Sequence, residues 1–115
     1  MRYLLMICED EKALEGRSNE ENGAVLARYG ALMGDLTERG ILLGGERLQF
    51  STDATTVRVR DGEVLTTDGP FAETKEQIGG YFLVDCKDLD QALEVAAKIP
   101  GAEIGSIEVR PIWEM

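Results

Sequence analysis

The sequence predicts an α+β fold: an antiparallel sheet with two helices on one face and an inserted β-hairpin. Three observations predict it. Apolar runs of strand length alternate with two capped stretches of helical periodicity, in the order strand, helix, strand, hairpin, strand, helix, strand. Asp61-Gly62 sits between two short alternating segments, the strongest local sign of a tight hairpin. The third observation is the length, 115 residues, enough for one domain (1–115) with its own core.

Arg2 to Cys8 reads as the first strand. Tyr3, Leu5 and Ile7 share one face and Leu4, Met6 and Cys8 the other, so both faces need cover. Glu9 to Glu15 reads as a charged connection. Ser18 and Glu21 fit a capping box, because a serine hydroxyl and a glutamate three residues on can satisfy each other's backbone amides. Val25, Leu26, Tyr29, Leu32, Met33 and Leu36 follow at helical spacing, and Gly40 suits the position past the helix end. Gly23, Gly30 and Gly34 weaken this helix unless they mark close approach to the sheet.

Ile41 to Leu48 reads as a strand with a bulge at Gly44-Gly45. Thr55 to Arg60 alternates Val57 and Val59 against Arg58 and Arg60, and Glu63 to Thr67 returns from the turn. Gly80 to Cys86, preceded by a Gly79-Gly80 pair read as a hinge, is again apolar on both faces. Asp88 and Gln91 start the second helix, with Leu89, Ala92, Leu93, Ala96 and Ile99 as its buried stripe and Pro100-Gly101 as its stop. Ser106 to Trp113 is the last strand, where Pro111 points to an edge or a bulge. Without the hairpin this order is the split βαβ, or ferredoxin-like, pattern. Two helices cover one face only. The other apolar face therefore calls for a second copy, a homodimer of the dimeric α+β barrel type.

Composition narrows the function classes. Apolar residues at 43% and charged residues at 30% describe a soluble globular domain. The net charge of −10 opposes binding to nucleic acid or to an anionic membrane, both of which need a basic footprint. The apolar run in MRYLLMICEDE is too short for a signal peptide or a membrane span, so a cytoplasmic location is expected. Cys8 and Cys86, with no histidine anywhere, cannot build a tetrahedral zinc site; both are expected as free thiols in strands. No calcium-loop spacing and no glycine-rich nucleotide motif is present, so neither a metal nor a cofactor is expected.

Chemistry concentrates between Asp61 and Cys86. Gly69 can take backbone angles other residues avoid, and Pro70 fixes the turn beside it. Such a turn aims Asp68, Phe71, Glu73, Lys75 and Glu76. Asp68 is either a turn residue bonding to its own backbone or a functional carboxylate. Glu73 and Lys75 are either a solvated loop or partners of Asp68; Glu76 reads as solvated. Phe71 and Tyr81 are either core or the walls of an apolar pocket. Glu46, after Gly44-Gly45, is either a surface ion pair with Arg47 or a group facing the same cleft.

The run DGPFAETKEQIGGYFLVD resembles the DGPF signature of the YCII-related proteins. The resemblance extends through RYLLMICEDE, GERLQ, TTVRVRDG and EVRPIWE, nearly the whole chain. It implies a cleft lined by the signature, with Asp68 and Lys75 as the reacting residues and Glu46, Gly69, Pro70, Phe71, Glu73 and Tyr81 around a small organic or anionic ligand. Some members of the wider family are thought to use a His–Asp pair for proton transfer; this chain has no histidine and cannot. Two functions fit. One is cofactor-free proton transfer of the isomerase or lyase type, with Asp68 as base and Lys75 as electrophilic stabiliser. The other is a non-enzymatic ligand-binding or regulatory protein, since DGPF proteins are often encoded beside extracytoplasmic-function sigma factors.

Overall fold

The computed structural model describes residues 1–115. Strand β1 (Arg2–Glu9) leads through a short helix α1 (Glu11–Glu15) to the long helix α2 (Asn19–Glu38). Then follow β2 (Leu42–Arg47), the hairpin β3 (Thr55–Arg60) and β4 (Glu63–Asp68), β5 (Gln77–Asp85), α3 (Leu89–Lys98) and β6 (Ser106–Pro111). Single 3₁₀ turns lie at Ser51–Asp53 and Pro100–Glu103. The main sheet is antiparallel in the order β2-β5-β1-β6, the ferredoxin-like arrangement, and β3-β4 forms a separate two-stranded sheet. No helix is long and apolar enough to cross a membrane.

The core lies between the sheet and helices α2 and α3. Tyr3, Leu5 and Ile7 of β1 and Phe82 and Val84 of β5 meet Leu36 of α2 and Ala92, Val95 and Ala96 of α3. The capping box at Ser18 and Glu21 is formed on both sides, and Gly40 ends α2 with φ +71°. The stripe of α3 is rotated from the expected one. Leu89 and Leu93 are each 48% exposed, and Val95 takes their place. Ala92, Val95, Ala96 and Ile99 have i, i+3, i+4, i+7 spacing, and the two alanines let the helix lie close to the sheet.

The glycines divide by what surrounds them. Gly79-Gly80 is not a hinge but part of β5. A Cβ at Gly80 would stand 2.9 Å from the Glu46 carbonyl oxygen, and one at Gly45 would stand 2.8 Å from that of Tyr81. Close strand approach, not mobility, requires these two residues. The bulge falls at Leu43, where the pairing of β2 with β5 slips between Leu42 and Gly44. Gly23, Gly30 and Gly34 do not touch the sheet; a Cβ at any of them would meet nothing within 4 Å. Gly30→Ala and Gly34→Ala should therefore each stabilise the fold by about 0.5–1 kcal/mol. A higher urea midpoint with an unchanged slope would show it.

The hairpin turns at Asp61 (φ 52°) and Gly62 (φ 78°), both left-handed as a tight primed turn requires. It projects from the body and pairs with no strand of the main sheet. The valine face is open: Val57 is 59% and Val64 is 68% exposed, whereas Thr56 and Arg58 are half-buried. β6 is an edge strand, as Pro111 implied, and it ends there, short of Trp113, which is 87% exposed. Cys8 and Cys86 are both free thiols.

The second face of the sheet has no cover within the chain. Leu4, Met6 and Cys8 of β1 and Tyr81 and Leu83 of β5 are half-exposed there, with Leu4 opposite Leu83 and Met6 opposite Tyr81. The chain exposes 7896 Å², whereas a compact monomer of 12.6 kDa exposes roughly 6,200 Å². Its radius of gyration is 16.0 Å against about 13 Å for a compact chain of this length.

Candidate functional site

The site is built on the end of β4. Asp68 is the last residue of that strand, and Gly69 follows with φ 104°, a conformation that favours glycine. The Gly69 N–H donates to the Ala54 carbonyl at 2.7 Å, and the Thr56 hydroxyl donates to the Gly69 carbonyl at 2.8 Å. Both bonds tie the turn to the base of β3, which fixes the direction of the residues on either side. Pro70 is half-buried against this anchor.

The loop from Phe71 to Glu76 is held by its own side chains. The Gln77 amide donates to the Ala72 carbonyl at 3.1 Å and to the Thr74 carbonyl at 3.3 Å. Glu76 accepts from the Ser106 hydroxyl at 2.8 Å and so is committed to the frame. Opposite stands the start of α1. Asp10 caps that helix by accepting from the Lys12 N–H at 3.0 Å, and Glu11 accepts from the backbone N–H and the hydroxyl of Ser51. Between these walls lies a cleft of 780 Å³ whose lining contains no large apolar side chain.

Asp68, Gly69, Pro70, Glu73 and Lys75 all line this cleft, together with Asp10, Glu11, Lys12, Ser51, Thr52, Thr74 and Gln77. The Asp68 carboxylate accepts no hydrogen bond from the protein, so the turn does not use it in the manner of a backbone-bonded turn aspartate. Lys12, Glu73 and Lys75 likewise enter no ion pair within the chain. Four carboxylates (Asp10, Glu11, Asp68, Glu73) face two ammonium groups (Lys12, Lys75).

Three expected residues lie elsewhere. Phe71 is 79% exposed on the far side of the turn, beside an apolar groove that also holds Cys8, Phe50 and Ile78. Pro70 borders both spaces. Glu46 and Tyr81 are cross-strand partners in β2 and β5, and neither lines the cleft. Burial, helped by Glu108 and Glu76, pushes the Cys8 thiol up, which keeps it protonated and poorly nucleophilic. Sequence reasoning missed the wall from Asp10 to Lys12 and the turn at Ser51-Thr52. The signal for the first was Asp10 as a helix cap; five helical residues with none buried carry no periodicity.

Behind Glu11 lies a second, narrower cavity of 310 Å³. Glu9 and Tyr29 stand in it with Arg17, Arg47 and an apolar wall including Leu14, Val25, Leu26 and Phe50. The Tyr29 hydroxyl accepts from the Gly101 N–H at 3.2 Å, and its ring meets Phe82 edge-on at 6.3 Å. Burial pushes the Glu9 carboxyl up, against the pull of Arg17 and Arg47 and with the help of Glu76. A raised carboxyl pKa makes the folded state bind more protons than the unfolded one. Glu9 thus favours folding below the ordinary carboxylate pKa, and that contribution is lost as pH rises through its folded value. Glu9→Gln should be more stable than the parent at neutral pH, and the difference should shrink as pH is lowered through that window; melting curves against pH check this.

A model of the YCII-related domain family matches residues 1–115. The chain belongs to the YCII-related domain family. It is also similar to an uncharacterized protein of Rhizobium meliloti (strain 1021), at 40% identity over 114 residues, covering 97% of this chain and 92% of the relative. As a YCII-related domain it carries its unbonded carboxylate and lysine on the segment DGPFAETK, which includes the positive-φ turn at Gly69.

Proposed function

We propose that this YCII-related protein is a homodimer that binds a small polar organic molecule in the cleft between the Asp68–Lys75 segment and the start of α1. Asp68 and Lys75 contact the ligand directly, flanked by Glu73 and Lys12. The observation that carries the reading is the Asp68 carboxylate. It stands beside a turn held by two hydrogen bonds, lines the cleft, and is used by no protein donor. A fixed charged group without an internal partner is available to a ligand. The excess of carboxylates in the lining favours a neutral or cationic molecule, with any anionic group placed at Lys12 and Lys75.

The chemistry such a pair supplies is proton transfer without a cofactor: Asp68 takes a proton and Lys75 stabilises the developing negative charge. The wide, open cleft, without large apolar side chains, favours the second reading, a ligand-binding or regulatory protein, because water is not excluded from it. Stabilisation by a ligand followed by an assay for its turnover separates the two. If Lys75 contacts the ligand, Lys75→Met should weaken binding about tenfold. Its effect should be non-additive with that of Asp68→Asn, as expected for groups sharing one ligand; a calorimetric double-mutant cycle checks both.

The homodimer half of the proposal rests on the open sheet face. The chain's surface surplus over a compact monomer is about 1,700 Å², more than the roughly 800 Å² that each partner hides in a standard interface. A second sheet packed on Leu4, Met6, Tyr81 and Leu83 would also bring the projecting hairpin and its open valines against the partner.

A further inference from the structure

We propose that the cavity behind Glu11 is a second ligand site, for a small carboxylic acid with an apolar body and a hydroxyl or carbonyl at its far end. Arg17 and Arg47 receive the carboxylate. In a chain with 22 acidic residues, neither enters an ion pair, although Arg2, Arg28, Arg39 and Arg110 all do. Arg17 is half-buried and Arg47 exposed, so the pair stands where the cavity meets solvent. Guanidinium groups bind carboxylates by paired hydrogen bonds as well as by charge. Leu14, Val25 and Phe50 supply an apolar wall, which the first cleft lacks entirely.

The floor supplies the polar end. A side chain at Gly101 would run into Glu9 Oε1, Ile7 and the Tyr29 hydroxyl, so the Glu9 and Tyr29 oxygens converge there and a larger residue at position 101 would displace them. The Tyr29 hydroxyl accepts one bond, from Gly101 N–H, and gives its proton to no protein acceptor. The Glu9 carboxylate is likewise unbonded by the protein. Tyr29 and Glu9 together offer a donor and an acceptor to a hydroxyl or carbonyl. The volume, 310 Å³, is at the lower end of the usual range of about 300–1,000 Å³ and suits a molecule of benzoate size. Glu11, pinned to Ser51, lines both spaces and separates this cavity from the Asp68 cleft.

The groups facing Glu9 are Arg17, Arg47, Tyr29, Glu11, Glu15 and Glu76. An incoming carboxylate adds a negative charge to that set, so binding should draw a proton onto Glu9 and strengthen as pH falls. The experiment is titration of the whole protein with 4-hydroxybenzoate, followed by calorimetry and by amide shifts in the spectrum of the unmodified protein. The expected result is binding with shifts at Tyr29 and Gly101, at least about tenfold weaker for benzoate and for 4-hydroxybenzylamine. Arg17→Gln and Arg47→Gln should each weaken it similarly. Glu9→Gln should bind more tightly at neutral pH and lose the pH dependence, and Asp68→Asn should bind as the parent does. Absence of binding, equal binding of 4-hydroxybenzylamine, shifts confined to the Asp68 cleft, or parental affinity in the double arginine variant would each overturn the proposal.

Discussion

Replacing Leu83 by glutamate is expected to leave the protein monomeric at concentrations where the proposed dimer of the unmodified chain forms. Leu83 lies on β5, opposite Leu4 of β1, and these are the two central strands of the sheet. Both side chains are half-exposed on the face that no helix covers. In a two-fold dimer packed through that face the substitution acts twice, and each new carboxylate would be taken out of water without a partner. Burying an unpaired charge costs several kcal/mol, and every 1.4 kcal/mol is tenfold in affinity, so dimerisation should weaken by at least about a hundredfold. The hydrophobic core on the helix side is untouched, so the circular dichroism spectrum should keep its α+β shape. The melting temperature should fall and lose its dependence on protein concentration, because dimerisation no longer stabilises the native state. Sedimentation equilibrium reads the change directly.

Asp68→Asn should leave the fold in place and remove function. Asparagine keeps an acceptor oxygen, is compatible with the end of a strand, and leaves the Gly69–Ala54 and Thr56–Gly69 bonds untouched, since none of them uses the Asp68 side chain. Stability should therefore stay within about 1 kcal/mol of the parent. Asparagine cannot accept a proton at neutral pH and carries no charge for a cationic group. Affinity for the cleft's ligand, or the rate of its turnover, should drop at least about tenfold, equivalent to about 1.4 kcal/mol. A variant that binds as the parent does and merely melts earlier would make Asp68 a turn residue.

What was legible in the sequence was what local chemistry decides. The capping box at Ser18, the stop at Gly40, the turn at Asp61-Gly62 and the positive-φ glycine at position 69 each depend on a few neighbouring residues, and each forms as read. The alternation in β1 also showed that two apolar faces needed cover. Features set by tertiary pairing were not legible. Glu46 was placed around the ligand by the family resemblance. The bulge at Leu43 instead sets the β2–β5 register so that Glu46 stands opposite Tyr81, and neither lines the cleft. A shift of one residue in a strand exchanges its faces, and no local pattern announces it. The alternation in the hairpin marked two faces without saying which one is covered. α1 escaped notice because it buries nothing, although it supplies one wall of the site.

The most direct test of the cleft is a thermal-shift screen of the parent and the Asp68→Asn variant, side by side, against neutral and cationic polar molecules. A compound present at about a hundred times its dissociation constant stabilises the native state by about 2.7 kcal/mol, which is roughly ten degrees for a chain of this size. The result predicted here is at least one compound that raises the melting temperature of the parent and fails to raise that of the variant. If every stabilising compound shifts the two proteins equally, Asp68 does not touch the ligand and the cleft is not its site.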